Sequence, residues 1–533
     1  MHVVFVSLGQ PLLGVEYLSA YLKRAGHTTG LVHNPSLFDD RFQLCFPRLA
    51  KFYNQDDLIV QRILEHEPDL LAFSTLTPTF DWMVNIARRV RQARPQTKTI
   101  FGGIHASAVP EYVMKLDEVD FVCVGEGELP LVTLADSLEK GIEPAGIPNI
   151  WTKNNGQIRR PPLVSKFMQD LDSMPFPDKE LYADTFPTQD VYNLVTGRGC
   201  PYRCTFCFNN NFAELPTDGN PKEYIRRRSP DNVIKELLQA KERFHIRTVQ
   251  FWDDIFTMDM KWLSEFLPRY KKEIGLPWVA ETHANFMDDE LAQMLKDAGC
   301  VKCQMGIQSL NESAYKRTVL KRNESLPNII KTFNAFKKAN LTLTVDHIFG
   351  LPGENAETQE RARQFYLEHT PSRVSCFWLC YMPGLEITQY ARQNGTLSDK
   401  DMEDISAGKV FSYHEAVSQS AEVQKELDVL SGYMIAFHMI PIVPKFMRRF
   451  MLPRVLNKIP FMTLGAKIIS FIDLVLSSCF GGDFIGRLYF SHYLFYLVGP
   501  GRKLNKYPVV RKPAPATPIG KEQTIGYPPS IPA

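Results

Sequence analysis

A chain of 533 residues, 44% of them hydrophobic, is long enough for two or three domains that each bury a core. Its 61 Lys and Arg stand against 59 Asp and Glu, and a net charge of +2 gives no global electrostatic drive toward nucleic acid, so no nucleic-acid partner is expected. The opening MHVVFVSLGQPLLG lacks the layout of a secretory signal, and ten cysteines, of which only three cluster, fit a reducing cytoplasm better than a disulfide framework.

Short apolar runs then alternate with helical patterns: Val3 to Val6, a helix over Val15 to Arg24, Thr29 to Val32, Leu70 to Ser74, a helix over Trp82 to Ala93, Thr99 to Phe101, and Phe121 to Val124 leading into a helix from Glu128. The alternation predicts an α/β domain over residues 1–145, a doubly wound, flavodoxin-like (Rossmann) sheet that takes ligands beyond the carboxyl ends of its strands. The loops at those ends carry small residues: Ser74-Thr75-Leu76, Gly102-Gly103, and Gly125-Glu126-Gly127-Glu128. Such openings admit a bulky planar ligand close to backbone; taken alone, they equally suit a nucleotide-binding domain whose glycines only shape turns. Residues 146–188 are irregular and punctuated by proline, as in Met174-Pro175-Phe176-Pro177-Asp178, and are expected to form a linker.

From 189 to 400 strands and helices alternate again. The run Val191 to Val195 opens into VTGRGCPYRCTFCFN, where Cys200, Cys204 and Cys207 stand in a C-x3-C-x2-C spacing. Three soft thiolates this close can face one metal centre, while Gly197 and Gly199 let the backbone bend around it. A closed zinc site would need a fourth ligand, and no Cys or His follows before His245, so zinc is poorly supported. Three cysteines on a four-iron cluster leave one iron open. Further strands are expected at Val249 to Trp252, ending in Asp253-Asp254, and at Trp278 to Glu281, Gln304 to Ile307, Leu343 to Phe349 and Val374 to Tyr381, with functional groups at their C-terminal ends.

In these residues the chain resembles the radical S-adenosylmethionine (SAM) enzymes, and among them the cobalamin-binding, class B methyltransferase-like branch. The resemblance covers residues 1 to about 400 and implies a partial βα (TIM-like) barrel. It implies further that Cys200, Cys204 and Cys207 hold a 4Fe-4S cluster, with Phe206 in the aromatic place of the motif, and that SAM on the open iron is split to a 5′-deoxyadenosyl radical. Asp253 and Asp254 take the place of the motif facing the SAM ammonium. Gln308 and Ser309 take that of a ribose and carboxylate segment that usually carries Glu, and Gly350, Gly353 and Glu354 that of the fifth-strand motif beside the adenine. In Met382-Pro383-Gly384-Leu385, Leu385 replaces the family's Thr. Ser74 with Leu76, Gly102 with Gly103, and Gly125 with Glu126 resemble elements of cobalamin-binding domains. The D-x-H-x-x-G loop of methionine-synthase-like domains has no counterpart, because the stretch Ser7 to Gly14 holds no His. Cobalamin is then expected with its nucleotide base detached and no protein histidine below cobalt; His105 reads as an isolated hydrogen-bonding imidazole.

The resemblance implies a cytoplasmic, oxygen-sensitive enzyme that uses SAM, cobalamin, the cluster and an external electron donor such as flavodoxin or ferredoxin. Methylation of an unactivated carbon in a small-molecule or lipid-like substrate leads; a cobalamin-dependent radical cyclase or rearrangement catalyst is the alternative, and a non-catalytic electron carrier a third. Cys300 and Cys303 read as buried packing. Cys376 and Cys380 lie four apart in the last expected strand, too far for one metal, and Cys380, nearer the strand end, is a candidate catalytic residue that could reach the substrate, with core packing as its plainer role. A helical region is expected over 401–505 and a disordered, proline-rich tail over 506–533. Ile459 to Phe480 nearly has spanning length but carries Lys467 and Asp473, and the basic and aromatic stretch from Lys445 to Lys458 suits either peripheral contact with anionic lipid or a helical cap on the barrel.

Overall fold

The computed structural model describes residues 1–39, 46–154, 156–186, 191–216, 220–311, 314–409, 421–456 and 492–498. Strands β1 (His2–Leu8), β2 (Thr28–Asn34), β3 (Leu70–Ser74), β4 (Lys98–Gly102), β5 (Phe121–Cys123), β6 (Ile150–Asn154) and β7 (Gln157–Arg159) form one sheet in the order β2-β1-β3-β4-β5-β6-β7. The first five run parallel. Their near-continuous apolar sequences follow from burial on both faces, since neighbouring residues in a strand point to opposite sides. Val4, Val6, Leu71, Phe73 and Phe101 pack under the helices Asp56–His66 and Thr77–Ala93, and Val3, Phe5, Leu70, Ala72 and Ile100 under Leu13–Arg24 and Glu128–Glu139.

β6 and β7 lie in the stretch expected to be irregular, and they extend this sheet as antiparallel strands. Ile150 and Trp151 are the apolar pair that docks β6 against β5; two apolar residues before the polar Thr152-Lys153-Asn154 are too short a run to stand out as a strand.

Strands β8 (Tyr192–Leu194), β9 (Gly197–Arg198), β10 (Arg226–Arg227), β11 (Val249–Phe251), β12 (Trp278–Thr282), β13 (Cys300–Gln308), β14 (Thr342–Phe349) and β15 (Arg373–Trp378) build the second half. Six form a parallel sheet in the order β15-β14-β13-β12-β11-β8, the partial barrel expected from the resemblance, while β9 and β10 make a small antiparallel pair. The outer face packs Phe251, Trp278, Met305, Val345 and Trp378 against surrounding helices. β13 begins earlier than expected, so Cys300 and Cys303 are strand residues, both buried, with sulfurs 3.7 Å apart. β15 ends before Cys380: Cys376 is a buried strand residue, but Cys380 lies in the following loop, and the two do not share a strand.

Helix Ala421–Ile442 closes the outer side of β14 and β15, where Phe437 packs against His347, Phe349 and Tyr366. This is the helical covering of the barrel expected for part of the C-terminal region. Residues 492–498 return to the first sheet, with His492 bonding to the Pro35 carbonyl and the Tyr496 hydroxyl donating to that of Thr185. Among the described residues no helix is long and apolar enough to cross a membrane; Ile459 to Phe480 lies outside them.

Candidate functional site

The cysteine loop leaves β8 and is pinned before it begins. β9 pairs with β10, and a Cβ on Gly197 would stand 2.8 Å from the Arg226 carbonyl oxygen, while one on Gly199 (φ +95°) would overlap that of Tyr224. Only glycine fits there. Beyond the cysteines, Thr205 donates to the Val319 carbonyl (2.7 Å) and Phe206 packs among Leu320, Leu351 and Leu385. Phe206 thus anchors the loop. Arg322, buried and held by Glu324 (2.5 Å) and the Gly306 carbonyl (2.7 Å), brings a guanidinium nitrogen to 3.9 Å from Cys204 Sγ.

The three cysteines are partly accessible, and burial with mutual repulsion pushes Cys200 up to about 12 and Cys207 up to about 11. A pocket that opposes free thiolates favours an occupant whose positive charge replaces the protons. Thiolates around one zinc would sit roughly 3.8 Å apart. A four-iron cluster takes its thiolates on separate irons and needs no fourth protein ligand, and the three cysteines of this loop, with the Arg322 guanidinium beside Cys204, supply that donor set. The residues present fit such a cluster.

The adjoining acids, alike in sequence, separate in space. Asp253 is buried and spent on the loop, accepting from Thr196 N (2.9 Å) and Thr196 Oγ1 (2.5 Å). Asp254 instead opens into a large cavity, with Asn209 Nδ2 donating to it at 2.7 Å. Desolvation raises its carboxyl above the ordinary value, so a cation facing it would be welcome. Around the other side of the loop, Gln308 (φ +61°) leaves its side-chain oxygen buried without a partner among the described residues. Ser309 donates to Glu354, which also accepts from Gln359 Nε2 (2.7 Å). Gly350 (φ +75°) and Gly353 (φ +77°) shape the turn leading to Glu354. Cys380, which burial raises to about 12, is absent from the cavity wall.

The cavity has a volume of about 1020 Å³ and lies between the two sheets. Of the residues singled out in the sequence it gathers Ser74, Leu76, Gly102, Gly103, Gly125, Glu126 and Asp254, while Cys200, Cys204, Cys207, Phe206, Asp253, Gln308, Ser309, Gly350, Gly353 and Glu354 are not in its wall. The cysteine loop meets it through Gly199, Phe208 and Asn209. Among the described residues no histidine lines it. His105 points into the core, stacked on Phe80 (4.1 Å) and bonded to Thr77 Oγ1 (3.1 Å) and the Ser406 carbonyl (3.2 Å), and burial lowers it to about 4. One expectation changes in detail: the second glycine of the pair is required by protein backbone, since a Cβ on Gly103 (φ +87°) would sit 2.8 Å from both Thr75 N and O.

Sequence reading missed the pairs that join the halves. Glu16 and Lys179 form a buried ion pair in the cavity wall (2.5 Å), with Lys179 also donating to the Asn193 carbonyl (2.7 Å). Trp252 stands half-exposed in the same wall. Inside the barrel, burial raises both Glu281 and Asp346, the nearby Asp346 charge raises Glu281 further, and Gln304 donates to Asp346 at 2.9 Å. Their alternation along β12 to β14 was the available signal, but their strands are distant in sequence.

Residues 3–135 match the B12-binding domain family and residues 194–365 the radical SAM superfamily. An uncharacterized methyltransferase of Pyrococcus horikoshii is 26% identical over 394 residues, 73% of this chain and 80% of that protein. The anaerobic magnesium-protoporphyrin IX monomethyl ester cyclase of Rubrivivax gelatinosus is 22% identical, covering 70% and 64%. Among solved structures, the radical SAM methyltransferase TsrM of Kitasatospora setae, with cobalamin and a 4Fe-4S cluster bound, superposes with TM-score 0.57 at 16% identity over 73% of this chain and 78% of that one. OxsB, a cobalamin-dependent radical SAM enzyme, gives 0.62 at 15% identity over 92% and 75%.

Proposed function

Because this chain belongs to the radical SAM enzymes that carry a B12-binding domain, we propose that it is a cobalamin-dependent methyltransferase acting on an unactivated carbon of a small molecule. The observation that carries this reading is the cavity whose wall comes from both halves, small-residue loops of the first sheet on one side and the shoulders of the cysteine loop on the other. The reading assigns residues 1–145 to a cobalamin domain, 146–188 to the connection, 189–400 to the radical SAM domain, 401–505 to the helical C-terminal region and 506–533 to the tail. When bound, the cluster with SAM supplies a carbon radical and the corrin a transferable methyl group.

The chain's own part is to bind and align. Cys200, Cys204 and Cys207 would hold three irons and Asp254 would face the SAM ammonium, while Gln308 and Ser309, outside the cavity wall, would bind SAM only at its edge beside the cluster. Ser74, Leu76, Gly102, Gly103 and Gly125 would bed the corrin, with no histidine among the described residues of that wall. Enclosure between two sheets keeps water from the reacting carbon.

Anaerobic turnover with SAM deuterated in its methyl group tests the proposal. The substrate should gain deuterium while S-adenosylhomocysteine and 5′-deoxyadenosine form in comparable amounts. Formation of 5′-deoxyadenosine alone would move the assignment to cyclisation, the activity named for the Rubrivivax relative.

A flavodoxin or ferredoxin is the proposed electron source. The exposed Phe446 and Phe450 beside Lys445 and Arg449 support reversible contact with anionic membrane and a lipid-like substrate. Sedimentation with anionic liposomes at low salt should carry the protein down, and failure to do so would remove that part.

A further inference from the structure

The Gly125 to Glu128 loop and the cysteine loop are bolted to each other. Arg198 stands between the two glycines that open the cysteine loop and spreads its guanidinium fork across the gap: Nη1 donates to Glu126 (2.8 Å) and Nη2 to Glu128 (2.6 Å). Arg226, on the partner strand β10, donates to the same Glu126 oxygen at 2.8 Å, and the second oxygen accepts from Met168 N at 3.0 Å. Two carboxylates and two guanidiniums balance, which is the condition for holding four charges in a largely buried place.

Neither end of this bridge can slide. On the barrel side, Gly197 and Gly199 press against the backbone of residues 224–226, and Cys200 follows two residues after Arg198. On the sheet side, Gly125 (φ +84°) rests against Asn149, whose Nδ2 donates to the Val124 carbonyl at 2.8 Å. Both loops line the cavity, so the distance across it is set where the fork closes.

We propose that Arg198, gripped by Glu126 and Glu128, is a positioning residue that fixes the separation and orientation of the corrin relative to the cluster. This rests on the assignment of both groups to the cavity. The pair of glutamates then acts as the receptor for the barrel's arginine, and their place in the wall is a consequence of that grip. A lysine keeps the charge but offers no planar fork, so it cannot hold two carboxylates at once in fixed geometry. Misplacing reacting groups by about 1 Å costs on the order of 10²-fold in rate.

The test uses the full chain, reconstituted anaerobically with cluster and cob(II)alamin and reduced so that both centres are paramagnetic. Pulsed electron paramagnetic resonance should give one narrow cobalt-to-cluster distance distribution in the wild type. In Arg198→Lys and in the milder Glu128→Gln, iron and cobalamin content should stay at wild-type levels while that distribution broadens, and Arg198→Lys with Glu128→Gln should be no broader than Arg198→Lys alone. Hydrogen exchange in the unloaded protein should quicken together at residues 125–131 and 195–209. Variants that hold both groups with the wild-type distribution overturn the proposal, and so do variants that lose both groups through general unfolding while Glu128→Gln behaves as wild type. A wild-type chain that takes up the cluster but no cobalamin overturns the functional assignment beneath it, a result distinct from either.

Discussion

The two walls of the cavity work by different physics. The first sheet meets it with small residues at the loop tips, Ser74, Gly102, Gly103 and Gly125, set among large side chains such as Tyr17, Trp82 and Met83, so what it offers is mainly shape. The barrel side meets it with chemistry: the Asp254 carboxylate, the Trp252 ring, the Arg198 and Arg226 guanidiniums, and the residues that flank the three cysteines, Gly199, Phe208 and Asn209. Shape is distributed over many contacts and degrades gradually, whereas ligation and charge reside in single atoms and fail at once. A corrin, large and rigid, suits the first kind of wall; an iron cluster and a zwitterion need the second.

The sharpest way to break that contrast is at the cysteines. Replacing Cys200, Cys204 or Cys207 by Ala should remove SAM cleavage and cluster iron, a loss beyond the ~10- to 100-fold that follows removal of a mere supporting partner of a metal ligand. Iron analysis and 5′-deoxyadenosine release would check it. A triple Ala variant with unchanged iron and cleavage would place the cluster elsewhere.

On the sheet side the expected effects are smaller and unequal. A Cβ at Gly102 meets Cys123 Cβ at 3.6 Å, an ordinary contact, whereas at Gly103 it meets Thr75 backbone at 2.8 Å in a left-handed conformation. Gly103→Ala should therefore push the two loops apart and weaken cobalamin binding by at least ~10-fold, equivalent to about 1.4 kcal/mol, with cluster content intact. Gly102→Ala should stay within ~0.5 kcal/mol of wild type. Spectroscopic titration of cobalamin reads both. Equal losses from the two variants would mean the corrin, and not Thr75, crowds this turn.

The same contrast explains what could be read from the sequence. Cysteine spacing is local and its chemistry specific, so the loop, the alternating strands and the order of the later motifs were legible. Which of two adjacent acids faces the cavity was not, because Asp253 is turned inward by hydrogen bonds to Thr196, 57 residues away. The partners of Arg198 lie 70 and 72 residues off, in the loop and first helical residue that follow β5 of the other sheet, and no periodicity signals them. β6 escaped notice because its apolar content is two residues, and Cys380 left its strand because β15 stops at Trp378.

An effect on stability rather than on either cofactor lies behind the barrel wall, where polar side chains rather than backbone brace the loops. Glu354 is buried between Ser309 and Gln359, and desolvation, outweighing both hydrogen bonds, moves its carboxyl from 4.5 to about 7. A carboxyl raised in the folded state keeps its proton where the unfolded chain has lost it. Its contribution to stability is therefore complete below pH 4.5, declines as pH rises from 4.5 toward 7, and is gone above 7, a total of ~3 kcal/mol at ~1.4 kcal/mol per pH unit. His347, bonded to Gln359 and lowered to about 3 by burial, acts oppositely, losing stability as pH falls below 6.5. Because His347 is common to both proteins, the difference between wild type and Glu354→Gln isolates the carboxyl. Thermal midpoints of the two, measured between pH 5 and 8, should diverge up to about pH 7, with the wild type falling relative to the variant, and keep a constant separation above it. Curves parallel over the whole range would show that Glu354 is already ionised in the folded chain and that Gln359 and Ser309 hold it as a carboxylate.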